Sequence, residues 1–240
     1  MDTQLLQLTP RTAGLEIDLI GDLACPWSYL AKHNLEQALT SFYGSGDRIV
    51  RWHGLPLGGA VGSAGPSGRS VSWRDHFATR LAPGASIIEA QAELKTAGEA
   101  MGVSFDFERI GVLPNTREAN RLVSLASRDG RQSEAIEGLF RAFFESGADL
   151  SDHLVLAELA RKWSLPADTQ TAFADVSQGR DEVAADEQRL RTLGVSNVPS
   201  VVINGRVLVQ GPADASTYVK ALDQALFGEM PATRSRRQLH

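Results

Sequence analysis

Strand-forming sequence in this chain is concentrated at its two ends, and that division limits the folds open to it. Residues 15–20 (Leu-Glu-Ile-Asp-Leu-Ile) alternate and are β-prone, and Gly21-Asp22 punctuates them. After Pro26, residues Trp27, Tyr29, Leu30, Leu35 and Leu39 recur at helical spacing. Proline suits a first helical turn because its missing N–H would have no partner there. Residues 47–53 (Asp-Arg-Ile-Val-Arg-Trp-His) read as a second strand, parallel to the first through a right-handed crossover. Helical spacing then takes over at 86–101, 115–128, 133–145, 152–163 and 178–193. Residues 103–107 alternate like a strand or run as an extended loop. β signal returns after Pro199, where Val201-Val202-Ile203, the turn Asn204-Gly205 and Val207-Leu208-Val209 form a hairpin pattern. Tyr218, Leu222 and Leu226 mark a closing helix.

An order of βαβ first and ββα last is that of a thioredoxin-like fold. The expectation is therefore an α/β chain with a thioredoxin-like domain at 15–57 and 193–226, a large all-helical insertion domain at 58–192 and a flexible tail at 229–240. An active cleft belongs at the junction of the two domains. The Gly/Ser/Ala/Pro segment 58–68 lacks the pattern of a phosphate-binding loop and suits a lid over that cleft.

With a single cysteine, Cys25, among 240 residues, the chain has no intramolecular disulfide, which excludes a disulfide-stapled secreted scaffold. The first residues lack the basic and apolar regions of a signal peptide, and no stretch approaches a membrane span of ~20 apolar residues, so a cytoplasmic protein is expected. A net charge of −5 and a pI near 5.6 argue against a general nucleic-acid or membrane-surface binder. The basic residues Arg234, Arg236 and Arg237 read as a frayed terminus.

Cys25 is the first chemical candidate. It precedes a helix, where free N–H groups and the helix dipole favour a thiolate; the plainer reading is a small buried hydrophobe. Pro199 is the second. A proline opening the third strand lies beside the start of the first helix in this topology, and a cis bond there would turn the backbone of Val198 toward an extended peptide or a glutathione-like ligand.

The stretches Asp22-Leu-Ala-Cys-Pro-Trp-Ser-Tyr-Leu-Ala-Lys32, Asn115-Thr-Arg-Glu-Ala-Asn120, Phe143-Phe-Glu-Ser-Gly147 with Asp152, and Gly194-Val-Ser-Asn-Val-Pro-Ser-Val-Val-Ile-Asn-Gly205 follow one another in a familiar order. Together they resemble the DsbA-like branch of the thioredoxin superfamily, in particular FrnE-type proteins, relatives of 2-hydroxychromene-2-carboxylate isomerase and kappa-class glutathione transferase. The resemblance implies a catalytic Cys25 with Ser28, and substrate or glutathione binding by Pro26, Trp27, Val198, Pro199, Asn115 and Asn120. It implies no tightly bound cofactor, glutathione as a co-substrate, a small-molecule thiol or disulfide-bearing partner, and a homodimer as a family-level expectation.

Two departures shape the chemistry. Where FrnE-type proteins carry Cys-Pro-Trp-Cys, this chain has Ser28 in the fourth position. A serine cannot resolve a mixed disulfide, so a self-contained dithiol cycle is excluded and single-thiol exchange or deglutathionylation remains. The isomerase and transferase relatives place serine where Cys25 stands and use it to hold glutathione's thiolate. Where relatives often show Ala-His, this chain has Ala119-Asn120, so an imidazole is missing. Asn115 reads equally as a helix N-cap, and Ser28 as an exposed first-turn residue.

Other polar residues have bland readings. Trp52 and His53 end the second strand near the domain boundary, and the histidine reads as a surface or satisfied residue rather than a catalytic one. His33, His76, His153 and His240 show no metal-ligand spacing, and no metal site is expected. The carboxylates Asp181-Glu182 and Asp186-Glu187 read as a solvated helix face. Three functions follow: a single-thiol oxidoreductase, a glutathione-dependent isomerase or transferase assisted by Cys25, or a redox-inactive module binding peptide or glutathione.

Overall fold

The two strand-rich ends of the chain meet in one sheet. In the computed structural model, which describes residues 14–43, 47–57 and 71–228, strands β1 (Leu15–Gly21), β2 (Arg48–Gly54), β3 (Ser200–Ile203) and β4 (Val207–Gln210) lie in the order β2-β1-β3-β4. β1 runs parallel to β2, with Ile20 opposite His53, and antiparallel to β3, with the same Ile20 opposite Ser200. The end of β1, the end of β2 and the start of β3 therefore share one level of the sheet. β3 and β4 close as the hairpin expected from Asn204-Gly205, both of which have positive φ.

Helix α1 (Pro26–Ser41) makes the crossover and packs beside the closing helix α9 (Ala215–Phe227). Between β2 and β3 run α2 (Trp73–Thr79), α3 (Ile87–Glu99), α4 (Arg117–Arg128), α5 (Gln132–Ser146), α6 (His153–Lys162), α7 (Ala167–Ala174) and α8 (Arg180–Thr192). The fold is a thioredoxin core with a helical insertion. Helices α2 and α7 were not expected from the sequence. At 7 and 8 residues they span about two turns, too short for an apolar period to repeat.

Residues 103–107 form no strand ladder. The segment runs extended into a 3-10 turn at Phe107–Arg109, and the N–H of Asp106 donates to Phe144 O. Its alternation reflects burial of Val103, Phe105 and Phe107 against helices. The segment 58–68, with its lid reading, and the tail 229–240 lie outside the described residues.

One continuous core joins sheet and insertion. Tyr29 of α1 stacks on Phe140 of α5 at 4.5 Å and meets Phe105 edge-on, while Trp73 stacks on Phe77 and Phe107. Each such buried side chain contributes about 1.5–3 kcal/mol, and favourable ring pairs about 0.5–1.5 more.

Candidate thiol site

The turn from β1 into α1 is held from three directions. Gly21 ends β1 where any Cβ would sit 2.3 Å from the Trp52 ring, so only glycine lets β2 close against it. Cys25 N donates to Asp22 O at 2.9 Å and Ala24 N to Asp22 Oδ1 at 3.1 Å. Trp73 Nε1 reaches from the insertion to Ala24 O at 2.9 Å. Cys25 itself is extended (φ −102°, ψ 115°), caps α1 without a side-chain cap bond and is followed by Pro26 in the first turn. This places the thiol at the helix mouth.

Its surroundings reverse one expectation. Cys25 is 2% exposed, in a small apolar cluster with Ile20, Leu55, Leu190, Val198 and Val202. Half-buried Trp27, Leu57 and Val195 pack on that cluster, and Trp27 also stacks on Phe77 at 5.1 Å. Burial pushes the thiol up to about 11, against partial relief from the Ser28 hydroxyl, and the nearby Asp22 carboxylate adds to the rise. The helix-stabilised thiolate expected from the sequence is therefore opposed in this structure by burial of the sulfur. Desolvation of the sulfur outweighs what the helix terminus offers.

Ser28 is likewise not the exposed first-turn residue of the alternative reading. It is fully buried, and its Oγ accepts from Asp22 N at 3.3 Å. Val198 belongs to the cysteine cluster, and the Val198–Pro199 peptide bond is cis. Cys25, Pro26, Trp27, Ser28, Val198 and Pro199 are therefore gathered at one end of the sheet.

The two asparagines are held by contacts of their own. Asn115 is not the helix N-cap expected, since Thr116 holds that position; its Oδ1 accepts from Arg117 N at 3.1 Å in a local turn just before α4. Asn120 is buried on Gly54 and accepts from Trp52 Nε1 at 2.9 Å, on the β2 side of the molecule. Neither of the two cavities that flank α4, about 660 and about 610 Å³, includes Cys25 in its lining. One of these cavities lies beside β2, between the sheet and the insertion.

Sequence reasoning passed over Asp22. Its Oδ1 accepts from Ala24 N and from the Thr116 hydroxyl at 2.9 Å, and its Oδ2 from Leu57 N at 2.8 Å. One carboxylate thus joins the thiol turn, the exit of β2 and the start of α4. Burial raises its pKa despite those three donors, and Glu187 adds to the rise. The signal was an acid two residues after an apolar strand and inside the quoted motif.

Helix α8 is not simply a solvated acidic face. Glu187 is 4% exposed and accepts from Arg117 Nε at 2.8 Å and Arg191 Nε at 3.0 Å. Asp186 bonds His53 Nδ1 at 2.8 Å, while Asp18 bonds His53 Nε2 at 2.8 Å. Glu187 thus ties α8 to α4, and Asp186 ties it to β2. Asp181 and Glu182 do stay exposed, the latter paired with Arg128. Among the described residues, no group of three or more His, Cys, Asp or Glu could hold a metal ion, and no helix is long and apolar enough to cross a membrane.

The family profile described as a DSBA-like thioredoxin domain matches residues 16–223. No curated protein matches the chain. Among solved structures, a probable DsbA oxidoreductase from Streptomyces coelicolor is 26% identical, with 91% of this chain and 93% of that one covered at a TM-score of 0.76. A 2-hydroxychromene-2-carboxylate isomerase is 16% identical over 82% and 89% of the two chains, at 0.58. The cytosolic disulfide reductase DsbM from Pseudomonas aeruginosa, solved with GSH, is 19% identical over 88% and 95%, at 0.54. At those identities the last two are likenesses of fold.

Proposed function

Since the chain belongs to the DSBA-like thioredoxin domain family, we propose that it is a thiol oxidoreductase of the FrnE type that works with one cysteine. The observation that carries this reading is the place of Cys25. The sole cysteine of the sequence caps α1 and packs against Val198 at the start of β3.

The cycle uses two external partners. The Cys25 thiolate attacks a disulfide RS–SR′, forming Cys25–S–S–R and releasing R′S⁻. A second thiolate R″S⁻ then attacks the R sulfur, giving RS–SR″ and restoring the Cys25 thiolate. No resolving thiol is needed, and glutathione is the co-substrate that suits the second step. A supply of reduced thiol fits a cytoplasmic setting. In the closed form the buried thiol stays protonated. A substrate that parts Trp27, Leu57 and Val195 would remove the desolvation and leave the helix terminus to favour the thiolate.

The same burial favours a second reading, in which a glutathione-dependent isomerase uses Cys25 as a neutral donor to the sulfur of bound glutathione. Oxidised glutathione separates the two. Single-thiol exchange predicts one mixed disulfide per chain by intact mass, released by reduced glutathione and absent in Cys25→Ser. Ser28→Cys should add dithiol reductase activity toward insulin. No mixed disulfide in the folded protein, together with saturable glutathione binding that survives Cys25→Ser, would favour the isomerase instead.

A further inference from the structure

The cavity between α4 and α8 carries an imbalance of charge that the thiol site does not use. It measures about 610 Å³, within the ~300–1,000 Å³ usual for small-molecule sites, and its lining includes none of Cys25, Ser28, Val198 and Pro199. The ionisable side chains in that lining are Arg117, Arg121, Arg180 and Arg191 against Glu118 and Glu187. Two positive charges are left over, in a chain whose net charge is −5. A cleft with one prevailing sign focuses its field and concentrates ions of the other sign.

The four arginines are not equivalent. Arg121 is 1% exposed, and its guanidinium is spent on Glu118 and on the carbonyls of Phe173, Asp175 and Gln178. It balances Glu118 and has nothing left to offer a ligand. Arg180 is the surplus at that end. Its side chain is 61% exposed, and its one ion-pair contact among the described residues is that same Glu118, at 4.0 Å.

Farther along α8, Glu187 serves two guanidinium groups at once. Arg117 donates to it through Nε at 2.8 Å and Nη2 at 3.0 Å, and Arg191 through Nε at 3.0 Å. Arg191 Nη2 donates to Pro56 O as well. One carboxylate cannot neutralise both cations, and both remain open to water, 37% exposed at Arg117 and 41% at Arg191. Nη1 of each has no hydrogen-bond partner among the described residues.

The surplus therefore stands in two places. Arg180 and Glu187 belong to one helix, and at ~1.5 Å of rise per residue their separation along it is about 10 Å. No single compact anion reaches both.

We propose that this cavity binds a linear organic dianion, with one carboxylate at Arg180 and the other between Arg117 and Arg191. The excess charge sets the ligand's charge, and the spacing places its anionic groups at opposite ends of a chain. The accessible guanidinium groups supply planar forks of donors that match a carboxylate. The site is independent of the thiol chemistry.

Suberate is a suitable probe, with a carboxylate at each end of a flexible chain. Calorimetric titration of the full chain at low ionic strength should show saturable suberate binding that added salt weakens. Suberic acid monoamide has the same length and one charge, and succinate has both charges on a shorter chain. Each should bind about 3–5-fold more weakly than suberate. Arg180→Gln, at an exposed residue, should bring suberate down to the level of the monoamide, while Cys25→Ser should leave its binding unchanged. Equal binding of the monoamide, inorganic phosphate binding as tightly as suberate, indifference of suberate to Arg180→Gln, or no saturable binding would each overturn the proposal.

Discussion

Cys25 and His53 lie at the same level of the sheet, one beside the end of β1 and the other at the end of β2, and both are withdrawn from water. Ile20 connects them, packing in the cysteine cluster and pairing in register with His53. Their protonation nevertheless follows opposite rules. At Cys25 burial prevails, and the charged neighbour, Asp22, has the wrong sign to favour a thiolate. At His53 burial opposes the charge, but hydrogen bonds to Asp18 and Asp186 outweigh it and push the imidazole up to about 9. Burial alone does not decide a group's state in this fold; a counter-charge in contact does.

The largest expected effect comes from removing Asp22, which acts on the cysteine side of the comparison. Asp22→Ala strands the donors Ala24 N, Leu57 N and Thr116 Oγ1 and should cost about 3–5 kcal/mol of stability in urea titration. In whatever fraction stays folded, loss of the carboxylate should lower the thiol pKa. An unchanged urea midpoint would show that Asp22 does not tie the three segments.

A smaller effect belongs to His53. Its folded pKa is raised from 6.5 to about 9, so the stability it supplies is fully present below about pH 6.5 and is lost as pH rises through about 9. Thermal melts across that window should show a decline on the order of 2 kcal/mol, flattened in His53→Gln. A slope that persists in His53→Gln would place the titrating group elsewhere.

Ser28→Ala should have the least effect. It removes the hydroxyl that partly relieves Cys25 and accepts from Asp22 N, costing about 1 kcal/mol and moving the thiol pKa upward. A downward move would mean that Ser28 is not stabilising the charged sulfur.

The contrast between these two residues also marks what the sequence could disclose. The fold was legible because strand alternation, Pro26 at the head of α1 and the Asn204-Gly205 turn are local signals that tertiary structure did not override. The meeting of Cys25 with Val198 was legible because topology alone brings the start of β3 to the mouth of α1. Burial was not. Ser28 and Glu187 looked like surface residues because their partners, Asp22 for one and Arg117 and Arg191 for the other, come from elsewhere in space or on another helical turn. The motif assigns Asn120 to the thiol site, yet the indole of Trp52, 68 residues away in sequence, takes its amide oxygen and holds it over Gly54 of β2. The pairs Glu187–Arg117 and Asn120–Trp52, 70 and 68 residues apart, leave no periodic trace in the sequence.

The central claim is that Cys25 is a thiol kept neutral by burial until its apolar cover is parted. The direct test is the pH dependence of its alkylation by iodoacetamide in the folded protein, followed by intact mass. With one cysteine in the chain the signal needs no assignment. We expect slow labelling at neutral pH and a rate that keeps rising toward an apparent pKa of about 11. Rapid labelling that levels off below the ~8.5 of a free cysteine would contradict the account and show a thiolate already exposed at the helix mouth.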